Sequence, residues 1–309
     1  MRRLGFLAAL AMSRSALAGR PTNTTRERAA AWRDGLTGGT RGGPAAVEGR
    51  FTLPPGVILE SDIAYGGDAA QCLDVYRPAG ANRAPMILFV HGGGWRRGDK
   101  AMPQMVRNKV AHWGAKGFLF LSINYRMVPA ASPLEQSEDL GRALAFTQSN
   151  ASRWGGDASR IVVMGHSAGA HLAALLTVDG SLARRHSVQP WLATIAMDTA
   201  ALDIEAIMSR QHFRLYDLAF GADPTFWRAA SPMHRLQDRP ATSILLVCSS
   251  LRGDSVEQAH AFAAKAIGLG GRVTVLPLTL DHRELNGQLG VPGEYTDAVD
   301  GFLRSVGVE

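Results

Sequence analysis

Residues 160–176 read Arg160-Ile-Val-Val-Met-Gly165-His166-Ser167-Ala168-Gly169-Ala170-His171-Leu-Ala-Ala-Leu-Leu176. The first half is a short β-branched run, the pattern of a buried strand. The second half is rich in Ala and Leu, the pattern of a helix. Between them stands Gly-x-Ser-x-Gly, with Ser167 at the corner. A strand that becomes a helix within one residue brings neighbouring Cβ atoms into collision unless they are small or missing. Gly165, Ala168 and Gly169 meet that need. Such a corner lifts the Ser167 hydroxyl above the sheet and aims the Ala168 N–H into the same space. The helix that starts there adds its positive end, which favours a developing oxyanion.

Five residues of this kind arise by composition alone roughly 0.2 times in such a chain, so they need partners. His91-Gly92-Gly93-Gly94-Trp95 follows the apolar run 86–90. His-Gly-Gly-Gly arises by composition roughly 0.01 times, and its glycines let backbone N–H groups converge on an anion. Downstream, Asp254 follows the run 243–249 and His282 follows 272–278. Each is expected just past the C-terminal end of a strand, where functional residues gather in an open parallel sheet. A serine nucleophile needs a histidine base and an acid to orient it, and the order Ser167, Asp254, His282 suits this corner. Asp281 is the competitor for the acid, but side chains adjacent in sequence point apart. A rival reading takes Gly92, Gly94 and Gly98 with Arg126 as a dinucleotide-phosphate site. Against it, Gly92 does not open a βαβ unit, and the hydrolytic set needs no cofactor. No Cys, His and carboxylate cluster has metal-ligand spacing, so no metal is expected either.

The chain has 309 residues, 46% of them hydrophobic, and a formal charge of +6. That charge lies in residues 1–50, which hold nine Arg against Glu27, Asp34 and Glu48. Residues 51–309 carry 24 basic and 24 acidic side chains, so the body lacks the basic excess of a nucleic-acid binder. Cys72 and Cys248 fall in separate expected strands and read as buried free thiols. No run approaches the roughly 18 apolar residues of a membrane span, so no stable membrane insertion is expected.

Met1-Arg2-Arg3, an apolar segment over residues 4–12 and Ala16-Leu17-Ala18 form the pattern of an export signal over residues 1–18. Export, to a periplasmic or extracellular space, is the matching expectation, with a cytoplasmic chain as the alternative. Residues 19–50, rich in Gly, Thr and Arg, read as a flexible arm. From residue 51 strands and helices alternate. Runs 57–65 and 72–76 suggest an opening hairpin. Strands follow at 86–90, 118–124, 160–164, 191–197, 243–249 and 272–278, with helices at 134–152 and 295–306. The pattern predicts an α/β domain over 51–309: an eight-stranded, mostly parallel, doubly wound sheet covered by helices. Residues 203–240 break the alternation and are rich in aromatic side chains, which suggests a small cap over a pocket. Phe213, Phe220 and Trp227, with Trp95 beside the glycine run, are its candidate lining, joined by Phe226. Five arginines in the same segment (210, 214, 228, 235 and 239) leave room for an anionic substrate end.

Taken together, Leu73-Asp-Val-Tyr-Arg-Pro78, His91-Gly-Gly-Gly-Trp95, Asn124-Tyr-Arg126, Gly165-His-Ser-Ala-Gly169, Asp254 and His282 resemble an α/β-hydrolase of the carboxylesterase type. The resemblance covers residues 51–306 and lies nearest the hormone-sensitive-lipase-like and kynurenine formamidase-like esterases. It implies an α/β-hydrolase fold and a triad of Ser167, Asp254 and His282. It implies an oxyanion hole from the N–H groups of Gly93, Gly94 and Ala168, and a small-molecule ester as substrate. The formamidase-like branch, to which Trp95 is closer, implies an N-formyl arylamide instead. A non-catalytic binding protein on the same fold would have no need of all three triad members.

Overall fold

The computed structural model describes residues 51–308. The export signal and the arm expected over residues 1–50 lie outside the described residues. Eight strands form one sheet: β1 (Val57–Ala64), β2 (Cys72–Pro78), β3 (Ala84–Val90), β4 (Leu119–Ile123), β5 (Gly156–His166), β6 (Ala193–Met197), β7 (Ser243–Ser249) and β8 (Val273–Leu278). Their spatial order is β1-β2-β4-β3-β5-β6-β7-β8. The opening hairpin β1–β2 is antiparallel, and β2 meets β4 antiparallel as well. From β4 across to β8 every pair is parallel. This is the α/β-hydrolase fold.

The pleat of β3 shows why the sheet needs cover on both sides. All seven of its residues are buried. Met86, Leu88 and Val90 join one apolar cluster, while Ile87 and Phe89 join another on the opposite face. Alternation with period two therefore divides the core into two layers. One layer is closed by α1 (Pro103–Ala115), through Val106, Val110 and Trp113, together with the C-terminal helix. The buried Val106, Val110 and Trp113 of α1 recur at i, i+4 and i+7, the spacing of one helix face, and Pro103 occupies its first turn. The other layer is closed by α2 (Pro133–Asn150), which starts from a Ser132–Glu135 capping box, and by α3 (Ala168–Val178). A short α4 (Gly180–Arg185) follows.

Between β6 and β7 the chain makes four short helices: α5 (Ile204–Met208), α6 (Arg214–Phe220), α7 (Pro224–Ala229) and α8 (Pro232–Arg235). Their brevity follows from sequence. Asp203 and Asp223 cap α5 and α7 by accepting backbone N–H bonds, and Pro224 and Pro232 restart the chain. Met208, Tyr216, Ala219 and Phe220 point inward and join the cluster that contains Trp95 and Leu172. After β7 come α9 (Gly253–Gly268), α10 (His282–Gly287) and α11 (Glu294–Ser305), with β8 between α9 and α10. Cys248 is buried and Cys72 only half-buried, both as free thiols. No helix among the described residues is long and apolar enough to cross a membrane.

Candidate active site

Ser167 stands between β5 and α3 at φ +56°, ψ −118°, a backbone state that L residues rarely adopt. Close packing enforces it. A Cβ on Gly169 would lie 2.2 Å from the Val90 carbonyl oxygen, so α3 can begin against β3 only with glycine there. The Ser167 N–H donates to the Met197 carbonyl at 2.8 Å, which ties the corner to the end of β6. The side chain is aimed at α10, where Ser167 Oγ lies 3.0 Å from His282 Nε2. Asp281 is the N-cap of α10 and accepts from the N–H groups of Arg283 and Glu284. It holds the helix and not the imidazole.

The acid on His282 is Asp198, not Asp254. His282 Nδ1 donates to Asp198 Oδ2 at 2.6 Å. Asp254 lies in the first turn of α9, accepts from the N–H of Ser255 at 2.9 Å, and reaches Arg252 at 3.6 Å. The physical reason is the shape of the β7–α9 corner. It turns Arg252, not Asp254, toward the imidazole, with Nη1 3.0 Å from His282 Nδ1. Asp198 stands one residue past β6, at φ +50°. Its Oδ1 accepts from the Ser249 N–H at 3.0 Å and the Ser255 hydroxyl at 2.6 Å, and its Oδ2 from Arg252 Nη1 at 2.8 Å. Burial alone would raise the Asp198 pKa. The bond from His282, the charges of Arg252 and His282 and the Ser255 hydroxyl hold it well below the usual carboxylate range. Asp198 is therefore ionised. The signal for it was present in sequence: it too follows a parallel strand and stands between Ser167 and His282 in the chain.

His166 braces the same histidine. Its Nε2–H donates to the His282 carbonyl at 2.9 Å, and the two rings sit 4.6 Å apart. Burial, then the charge of His282, pushes its pKa well below the ordinary imidazole value, so it is neutral.

The glycine run lies against the serine, since a Cβ on Gly92 would fall 2.9 Å from Ser167 Cβ. Gly93 has φ +133°, and a Cβ there would lie 2.0 Å from the Arg97 carbonyl oxygen. The loop folds back through bonds from the Arg96 and Arg97 N–H groups to the Gly93 carbonyl, at 3.3 and 3.1 Å. The N–H groups of Gly93, Gly94 and Ala168 donate to no backbone carbonyl among the described residues. The features of the dinucleotide reading are used otherwise. Gly98 packs against the His91 ring, where a Cβ would lie 2.3 Å from Nδ1. Arg126 is paired with Asp139 at 2.7 Å.

Trp95 and Phe220 meet beside the glycine run, 4.8 Å apart and edge to face, with Tyr216 5.8 Å from Trp95. Trp95 Nε1–H donates to His171 Nδ1 at 3.1 Å, and His171 Nε2–H donates to the Ala230 carbonyl at 2.8 Å. This chain of bonds joins the loop, the serine helix α3 and the cap. Burial lowers the His171 pKa to about 4, so the ring is neutral and its tautomer is set. Leu215, which was not among the candidate lining residues, lies 3.9 Å from where a Cβ on Gly94 would sit. Phe226 and Trp227 pack against the same cluster half-buried, and the Trp227 indole donates to the Gly221 carbonyl at 3.0 Å. Phe213 sits at the start of α6 and is 42% exposed. Of the five cap arginines, Arg228 pairs with Glu205, Arg235 with Asp179 and Arg210 with Glu257. No group of three or more His, Cys, Asp or Glu among the described residues could hold a metal ion.

Several known esterases are similar to this chain. The family model BD-FAE matches residues 73–214. Esterase LipC of Mycobacterium tuberculosis is 29% identical over 219 residues, 66% of this chain and 54% of LipC. The isoprenylcysteine α-carbonyl methylesterase ICME of Arabidopsis thaliana is 34% identical over 122 residues, 39% of this chain and 28% of that protein. The match thus spans about half, or less, of the length of these curated relatives. Among solved structures, esterase B of Lactobacillus rhamnosis, inhibited by a tributyrin phosphonate, superposes with a TM-score of 0.68. It is 20% identical, with 92% of each chain covered.

Proposed function

We propose that this chain is a serine hydrolase of carboxylic esters that works through an acyl-enzyme. The observation that carries the reading is the line from Ser167 Oγ to His282 Nε2 at 3.0 Å and from His282 Nδ1 to Asp198 at 2.6 Å, with the serine held at φ +56°. Ser167 Oγ attacks the ester carbonyl while His282 Nε2 takes its proton. Asp198 fixes the imidazole tautomer and stabilises the imidazolium. The N–H groups of Gly93, Gly94 and Ala168 receive the oxyanion. The tetrahedral intermediate then expels the alcohol, which takes the proton from His282. A water molecule, deprotonated by His282, hydrolyses the acyl-serine by the same steps. The names of the relatives, an esterase and a methylesterase, and the phosphonate on esterase B support this chemistry.

The substrate is a small ester with a short acyl group. Trp95, Tyr216 and Phe220 pack ring against ring beside the glycine run, with Leu215 close to Gly94, an apolar wall suited to a short acyl group. Three of the five cap arginines are already paired with carboxylates, which weighs against an anionic substrate end. Export is part of the same proposal and rests on the residue 1–18 pattern; N-terminal sequencing of the secreted or periplasmic chain tests it.

The deciding experiment compares the protein with Ser167→Ala on p-nitrophenyl acetate. A loss of at least about 10³-fold in kcat is expected. Equal rates overturn the enzyme reading. An acyl series from acetyl to palmitoyl, with N-formylkynurenine alongside, tests the substrate. A maximum at long chains, or a formamide rate above every ester, overturns the short-ester assignment.

A further inference from the structure

Arg252 has no place in the serine hydrolase scheme above, yet it touches two of its members. Nη1 lies 2.8 Å from Asp198 Oδ2, 3.3 Å from the Asp198 carbonyl oxygen and 3.0 Å from His282 Nδ1. The side chain is 19% exposed, so water screens these contacts little. We propose that Arg252 is a positioning residue: it clamps Asp198 against His282, and its charge lets the enzyme stay active to lower pH than an Asp–His pair alone would.

Two effects are separable. The clamp is geometric. One guanidinium nitrogen bonds both the side chain and the backbone of Asp198, a residue held at φ +50°, and so limits both rotation and backbone relaxation. The second effect is electrostatic. Protonation of His282 would place a second cation beside the guanidinium, and like charges so close disfavour the charged form. The Asp198 carboxylate, which would otherwise have the imidazolium as its one charged partner, is shared between two cations.

The other groups facing this spot do not supply the effect. Burial raises the pKa of Tyr216 on α6 to about 12 and of Cys248 on β7 to about 11, and it raises Tyr295 on α11 as well. His166 on β5 is neutral. Lys109 on α1, lowered by burial to about 7, bonds Asn286 further along α10 and is common to every variant below. Asp254, at 3.6 Å from Arg252, offsets its charge, but weakly, because its side chain is 43% exposed.

This inference rests on the hydrolase reading, so the test separates the two. The pH dependence of kcat/KM on p-nitrophenyl acetate is measured for the wild type, Arg252→Gln, Arg252→Lys and Asp254→Asn. Stoichiometric labelling by an aryl phosphonate, absent in Ser167→Ala, establishes the serine hydrolase first. A wild type that neither labels nor hydrolyses sinks that reading and leaves no acid limb to compare. With labelling intact, Arg252→Gln should move the acid limb up by about one pH unit. Its plateau kcat should fall by roughly tenfold as Asp198 loosens. Arg252→Lys keeps the charge without the planar fork, so it should restore the limb and not the plateau. Asp254→Asn should move the limb slightly down, the opposite sign. If Arg252→Gln fails to fold, Arg252→Lys and Asp254→Asn still decide. A limb that stays at the wild-type pH in Arg252→Gln, or that rises in Asp254→Asn, overturns the electrostatic effect. A full wild-type plateau in Arg252→Lys overturns the clamp.

Discussion

The chain leaves the sheet after β6 and again after β7, neighbouring parallel strands, and places an aspartate near each exit. Asp198 is fully buried, accepts from four donors and meets the imidazole. Asp254 is 43% exposed and accepts from its own neighbour in sequence. The β7 exit still serves the acid, because Ser249, Arg252 and Ser255 all belong to it and all bond Asp198. One corner carries the carboxylate and the next carries its cradle. What distinguishes two aspartates at equivalent strand ends is the number of fixed donors that converge on each, not their place in the chain.

The largest effect that tests this contrast is on rate. Asp198→Asn removes the negative partner of the imidazolium and can leave His282 in the wrong tautomer, so kcat should fall by about 10³- to 10⁴-fold. Burst kinetics on an aryl ester reads it, and a loss under tenfold would return the acid to the other corner. A middling effect is expected on stability. The folded Asp198 pKa is depressed, so its contribution is fully present above the unfolded carboxyl value of about 4 and is lost as pH falls below it. Urea unfolding between pH 5 and 2.5 should therefore show a shallower decline for Asp198→Asn than for the wild type, by on the order of 1–3 kcal/mol. An identical decline would mean that the carboxyl is not held below its unfolded value. The smallest effect belongs to Asp254→Asn, which should leave the plateau kcat within about threefold and stability within roughly 0.5 kcal/mol.

Much of the fold was legible because it rests on local pattern. β3 and β5 to β7 announce themselves as short apolar runs, and the Ser167 corner and the glycine run carry their backbone demands in residue type. His282 was legible as well, by its place after β8. Asp198 was not, because three aspartates (198, 254 and 281) satisfy the same positional rule. Choosing among them requires knowing which way a corner turns its side chains. The β7–α9 corner exposes Asp254 and turns Arg252 inward, and no periodicity encodes that. The cap was harder still. Four helices of four to seven residues hold too few turns to show a period, so which of their apolar side chains turn inward was not legible, and Phe213 was chosen as lining over Leu215 and Tyr216.

Asp198 is also the root of the cap, since the chain departs for α5 only a few residues beyond it. Residues 200–202 are buried, and Met233, returning from the cap, donates its N–H to the Leu202 carbonyl at 2.7 Å. For anyone transplanting caps between proteins of this fold, the seam matters more than the insert. A splice made at residue 198 would exchange the acid that bonds His282 along with the roof. One made beyond Met208, rejoining at Ala230, would keep both the acid and the stem that holds it, leaving α6 and α7 as interchangeable parts.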